Sequence, residues 1–189
     1  MIKLAIVGFG QHVQKNILPA LLQIPDLIIV CVYVRNPDSY VEMCERVGLV
    51  ARPIEALGEI TVDYTYVATP LSTHFNLARK SLYAGSNVIC EKPLTDSPSK
   101  TSELFKVAAA KNLSLYEVCM YRFHKQYRHL KNLIDERRSD IRSVQARFMV
   151  PHLDQRNIRY NASLGGGALF DVGYYPISRI RIRSPQYQF

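Results

Sequence analysis

The 189-residue sequence contains no apolar run near the ~18–20 residues that cross a bilayer. Met1 leads straight into an apolar stretch at 2–7 that is too short for a secretory leader and has no small-residue cleavage site behind it. A cytoplasmic location without a membrane partner is expected. Cysteine is sparse. Cys31, Cys44, Cys90 and Cys119 form no CxxC pair, so buried free thiols are predicted in place of a zinc site or a disulfide framework, and no metal is expected. Repeats and low-complexity segments are absent. With 48% apolar and 21% charged residues the composition is that of a globular chain, which excludes wholesale disorder.

Charge is present but unevenly placed. Residues 1–121 hold 11 basic and 11 acidic side chains, whereas 122–189 hold 13 and 5, so the last third carries the entire net charge of +8. A nucleic-acid surface, a site for an anionic small molecule, and a face whose acidic partner is missing would each explain this. No RNA- or DNA-binding motif accompanies the basic residues and their aromatics form no stacking platform, so no nucleic-acid partner is expected.

Short β-rich runs alternate with helical patterns in the first part. Strands are predicted at 2–7, 27–34, 64–68, 87–90 and 113–117, with helices near 11–23, 38–47, 73–84 and 97–111. The run Leu27-Ile-Ile-Val-Cys-Val is apolar on both faces, as a parallel sheet covered by helices requires. The alternation predicts βαβ units and a doubly wound parallel sheet. Ser97 is a plausible N-cap ahead of Pro98. Beyond 117 the pattern changes: a polar helix at about 125–139, an alternating strand at 143–150 of a second, antiparallel sheet, a polar loop, three glycines, and an apolar helical stretch to about Ile180. One strand cannot make a sheet. The chain is therefore expected to hold a complete domain at 1–121 and the start of a truncated α/β domain at 122–189, with most of its antiparallel sheet missing.

Four motifs carry chemistry. Gly8-Phe9-Gly10-Gln11-His12-Val13 follows the first strand and opens a helix. Gly8 suits a tight turn, and Gly10 lets the backbone approach a pyrophosphate. Val13 stands where a third glycine would permit close packing. The second strand ends Val34-Arg35-Asn36 with no acid to hold the 2′-hydroxyl of NAD, while Arg35 can pair with a 2′-phosphate. NADP(H) is therefore predicted over NAD(H). Glu91-Lys92-Pro93 lies at the carboxyl end of a strand, where ligands bind in such sheets. A lysine there can stabilise a developing alkoxide, although an exposed lysine is the blander reading. In the stretch 165–175, Asp171 and Tyr175 are four apart and on a continuous helix would share a face. Tyr175 can relay a proton to or from an alcohol or carbonyl oxygen, and Asp171 can orient a hydroxyl or Lys92. A glycine turn before a core helix is the alternative.

Together the motifs resemble the glucose–fructose oxidoreductase / inositol dehydrogenase (Gfo/Idh/MocA) family. The matching elements are Gly8-x-Gly10, Ala68-Thr69-Pro70 with His74, Glu91-Lys92-Pro93, the run 120–124, and 165–175. Members join a Rossmann domain to a C-terminal α/β domain on an open, mostly antiparallel sheet that commonly forms a dimer interface. They transfer hydride between NAD(P) and a sugar or cyclitol carbon. The resemblance implies that Lys92, Asp171 and Tyr175 are the catalytic residues. It implies that Gly8, Phe9, Gly10, Gln11, His12, Arg35, Asn36, Thr69, Pro70, His74, Glu91 and Lys92 line the cofactor. Arg122, His124, Arg159 and Asp171 would then face a sugar or nucleotide-sugar substrate. The sequence departs from the family at Val13, which is bulkier than the usual alanine or glycine, and in its length. Loss of activity through truncation, leaving a dinucleotide-binding or interaction fragment, is the alternative expectation.

Overall fold

The computed structural model describes residues 1–137 and 139–180. Its contacts divide the chain into two units, Met1–Val118 and Cys119–Phe189.

The first unit opens with β1 (Ile2–Val7). A π-helical turn, Val13–Ile17, continues into α1 (Leu18–Leu21). Leu18 N–H donates to the Val13 carbonyl, the i to i−5 bond of a widened turn. Pro19 sits one residue on, where its missing N–H leaves the Lys15 carbonyl without an i+4 donor. The predicted helix at 11–23 is thus irregular for a local reason. β2 (Leu27–Val34), a 3₁₀ turn at Pro37–Tyr40 and α2 (Val41–Glu45) follow. Next come β3 (Ala51–Pro53), β4 (Tyr64–Val67), α3 (Leu71–Tyr83), β5 (Asn87–Glu91), α4 (Pro98–Ala110) and β6 (Leu115–Val118). Ser97 takes the N-cap position of α4, but its hydroxyl pairs with Ser99 at 2.7 Å and caps no backbone N–H.

All six strands are parallel, in the order β3-β2-β1-β4-β5-β6. This is the doubly wound arrangement, with the strand order reversing between β1 and β4. Burial alternates across the sheet because strand side chains alternate. Ala5, Val7, Cys31 and Tyr33 join Ala78, Leu82, Leu104 and Ala108 in one core. Leu4, Ile6, Val32 and Val34 join Phe9, Val13 and Leu18 in the other. Val13 is 1% exposed, so the bulkier residue at the third glycine position packs into the core as an apolar anchor. All four cysteines are buried and free.

The second unit contains a 3₁₀ turn at Met120–Phe123, α5 (Lys125–Glu136), 3₁₀ turns at Ile158–Tyr160 and Ala162–Leu164, α6 (Ala168–Asp171) and α7 (Tyr174–Ile180). Two expectations fail here. Residues 143–150 form no strand, and Val144, Phe148 and Val150 are exposed instead of half-buried. A strand needs a ladder partner, and none is present in this unit among the described residues. The predicted helix through 171–175 is also interrupted. Gly173 separates α6 from α7 and donates to the Ala168 carbonyl at 2.8 Å, and a Cβ there would lie 2.6 Å from the Leu169 carbonyl oxygen. Asp171 therefore ends one helix and Tyr175 lies in the next, so they do not share a face of one continuous helix.

Candidate active site

At the reversal point, Gly8 follows β1 and Ala68-Thr69-Pro70 follows β4. Gly8 has φ +92°, and a Cβ on it would lie 2.6 Å from the Ala68 carbonyl oxygen, so only glycine lets these two loops approach. Gly8 N–H donates to the Tyr33 carbonyl at 2.8 Å. A Cβ on Gly10 would meet no protein atom within 4 Å. The backbone is thus tight at Gly8 and open at Gly10, as a turn that admits a pyrophosphate requires.

Phe9 is 2% exposed and packs edge-on to Tyr40, so it offers a ligand its backbone and not its ring. Gln14 Nε2 donates to the Phe9 carbonyl at 2.6 Å, bracing the loop. Gln11 is exposed. His12 Nδ1 lies 3.2 Å from Asn16 Nδ2, and its Nε2 lies 3.4 Å from Glu91 Oε1. The same Glu91 oxygen accepts the Tyr66 hydroxyl at 2.6 Å. Burial, then the Glu91 carboxylate beside it, pushes the Tyr66 phenol well above its ordinary range, so Tyr66 stays a donor. Arg35 is exposed at the end of β2 and forms no ion pair among the described residues. Asn36 turns to Ser39 Oγ at 2.9 Å.

Thr69 Oγ1 lies 2.7 Å from the Thr73 hydroxyl, which also donates to the Pro70 carbonyl at 2.8 Å. His74 departs from the expected cofactor contact. It is 2% exposed, and its two ring nitrogens lie 2.9 Å from the Pro93 carbonyl and 2.8 Å from the Thr69 carbonyl. A ring so enclosed cannot line a cofactor. Lys92 precedes Pro93 across a cis peptide, and the loop is held from behind by Leu94 N–H donating to Glu117 Oε1 at 2.7 Å. Tyr66 and Glu117 escaped the sequence reading. Both are strand residues whose importance appears only once the register brings them to the Glu91–Leu94 loop.

In the second unit, Arg159 Nε donates to Asp171 Oδ2 at 2.5 Å. The loop bearing Arg159 folds onto the glycines. Gly167 N–H donates to the Arg159 carbonyl at 2.9 Å, and a Cβ on Gly166 would sit 2.6–2.7 Å from the carbonyl oxygens of Ile158, Arg159 and Asn161. Tyr175 stacks on Phe148 at 4.6 Å and 19°, and meets Tyr121 and Tyr174 edge-on. His124 is the N-cap of α5, its Nδ1 accepting from Gln126 N–H at 3.2 Å, a structural task for a residue expected at the substrate. Arg122 is exposed. No cluster of three metal-ligating side chains occurs among the described residues, and no described helix is long and apolar enough to cross a membrane.

Residues 2–118 match the model of the Gfo/Idh/MocA oxidoreductase family with its NAD-binding Rossmann fold. The chain belongs to this family. It is 35% identical over 181 residues to a dTDP-3,4-didehydro-2,6-dideoxy-α-D-glucose 3-reductase from Actinomadura kijaniata, covering 93% of this chain and 54% of that protein. It is 32% identical over 127 residues to D-xylose 1-dehydrogenase (NADP(+)) 2 from Haloferax volcanii, covering 67% of this chain and 39% of that one. Among solved structures, the 3-ketoreductase KijD10 from Actinomadura kijaniata, in complex with NADP and TDP-benzene, superposes with TM-score 0.86 at 33% identity over 96% of this chain and 57% of KijD10. The chain spans about half the length of these curated sugar-nucleotide reductases.

Proposed function

We propose that the chain is the cofactor-binding half of an NADP(H)-dependent reductase acting on a ketone of a nucleotide-linked sugar. The observation that carries this reading is the 35% identity to a dTDP-ketosugar 3-reductase over 93% of the chain, which takes in Asp171 and Tyr175 as well as the Rossmann unit. The site residues fit the cofactor. Gly8 and Gly10 form the cradle, and Arg35 offers a guanidinium for a 2′-phosphate where an acid would serve the 2′-hydroxyl of NAD. Thr69, Pro70, His12 and Glu91 border the same loops.

When bound, the nicotinamide supplies hydride to the ketone carbon. Lys92 places positive charge beside the oxygen as it becomes an alkoxide. Tyr175 passes its hydroxyl proton to that oxygen and recovers one from solvent. Asp171, fixed by Arg159, orients a sugar hydroxyl. Arg122 and its basic neighbours favour an anionic nucleotide diphosphate over a free sugar. The test is NADPH oxidation with a dTDP-linked 3-ketosugar and with free D-xylose as comparison. Lys92→Ala is expected to retain NADPH binding and lose turnover, and an unchanged kcat would overturn the assignment.

The exposed apolar residues Val144, Phe148, Met149 and Val150 favour a second reading, a dinucleotide-binding module that docks on another polypeptide without turnover. A monodisperse monomer with ketosugar turnover would exclude it.

A further inference from the structure

His74 is the largest buried polar side chain of the Rossmann unit. It projects from the first turn of α3, one residue after Thr73. Its ring bridges two loops that leave neighbouring strands. Nε2 faces the Thr69 carbonyl at the end of β4, and Nδ1 faces the Pro93 carbonyl immediately after Lys92 at the end of β5. A carbonyl oxygen only accepts, so a neutral ring donates through whichever nitrogen carries its N–H, and a ring with both N–H groups donates to both carbonyls.

The two loops carry different tasks under the reading above. Thr69 and Pro70 border the cofactor, and Lys92 serves the reacting oxygen. Other side chains brace the loops as well: Thr73 holds Thr69 and Pro70, while Tyr66 holds Glu91 and Glu117 holds Leu94. His74 spans both. We infer that His74 is a positioning residue that couples the cofactor-bordering loop at Thr69 to the Lys92 loop, with one ring nitrogen assigned to each.

The proposal rests on the cofactor reading for its consequence but not for its geometry, so the two are separable by experiment. Asparagine places an amide donor near the position of Nδ1, and glutamine places one near Nε2. His74→Asn should therefore keep the bond to Pro93 and lose that to Thr69, and His74→Gln should do the reverse. Hydrogen exchange reads both. The Leu94 amide, bonded to Glu117, reports on the Lys92 loop, and the Thr73 amide, bonded to the Pro70 carbonyl, reports on the Thr69 loop.

The expected result is a crossed pattern. His74→Asn should speed exchange about tenfold at Thr73 with little change at Leu94, and His74→Gln should speed it about tenfold at Leu94 with little change at Thr73, the loss of one hydrogen bond in each case. His74→Leu should speed both. If the leucine variant does not fold, the two isosteres still decide the matter. In NADPH titrations, His74→Asn should raise Kd about tenfold while His74→Gln stays within about twofold of wild type. Equal exchange changes at both amides in both isosteres, or no change at either, would overturn the coupling. Failure of the unmodified chain to bind NADPH would remove the cofactor reading and leave the exchange pattern to judge His74 alone.

Discussion

The guanidinium of Arg159 donates to Asp171 at 2.5 Å, and the loop that carries Arg159 closes its carbonyls on Gly166. The proposed substrate-orienting carboxylate is thus held by a loop that tolerates only glycine beneath it. Gly166→Ala would place a methyl group against three carbonyl oxygens. It should lower stability by about 1–3 kcal/mol and free Asp171 from Arg159, measured as a lower Tm. A melt unchanged from wild type would contradict the packing.

The two glycines of the cofactor turn should separate in experiment. Gly8→Ala forces a strained φ and a 2.6 Å approach to the Ala68 carbonyl, so it should lower Tm and abolish NADPH binding together. Gly10→Ala meets no protein atom, so it should leave Tm within about a degree and weaken NADPH binding alone, through a methyl group where the pyrophosphate approaches. Thermal melts and NADPH titrations of both variants check this contrast.

Burial of acids that must stay neutral makes stability fall at high pH. Burial pushes the Tyr33 phenol up to about 12, with the neighbouring Cys31 adding to it, and Tyr66 is raised further still by burial and Glu91. In the unfolded chain these phenols ionise near pH 10.0 while the folded chain keeps their protons, so stability is complete below that value and declines above it. Each tyrosine contributes a slope of about 1.4 kcal/mol per pH unit. The buried thiols of Cys31, Cys44 and Cys90, raised by the same desolvation, add the same sign from pH 9.0 upward. Denaturant melts from pH 8 to 11 should show the fall, and Tyr66→Phe should flatten it. A stability curve level to pH 11 would contradict the burial of these groups.

Much of this architecture is legible from residue pattern. β2 is apolar on both faces and β1 is apolar apart from Lys3, and their observed limits, Ile2–Val7 and Leu27–Val34, are those that pattern predicts. β3 is not legible: three residues, one arginine and one proline, pair only along the sheet edge. The alternation at 143–150 describes one half of a ladder, and no partner strand for it occurs among the described residues of its unit. The glycine turn, Arg35 and Lys92 could be read from their places after strands. The bracing of their loops could not, because Tyr66, His74 and Glu117 are recruited by register and by helix placement across 19 to 25 residues of sequence.

On the proposed reading Arg35 separates the two cofactors, through one charge-assisted contact worth about 1.5–3 kcal/mol, or roughly tenfold or more in affinity. Arg35→Ala should weaken NADPH binding by that factor and leave NADH binding unchanged.

The most direct test of the account is titration of the purified wild-type chain with NADPH and with NADH, followed by calorimetry and by the shift in Tm that a native-state ligand produces. The account predicts saturable binding of both, a lower Kd for NADPH, and a larger rise in Tm with it. A Kd for NADH equal to or below that for NADPH would contradict the role given to Arg35, and failure of both nucleotides to bind would contradict the functional reading of the Gly8–Gly10 turn.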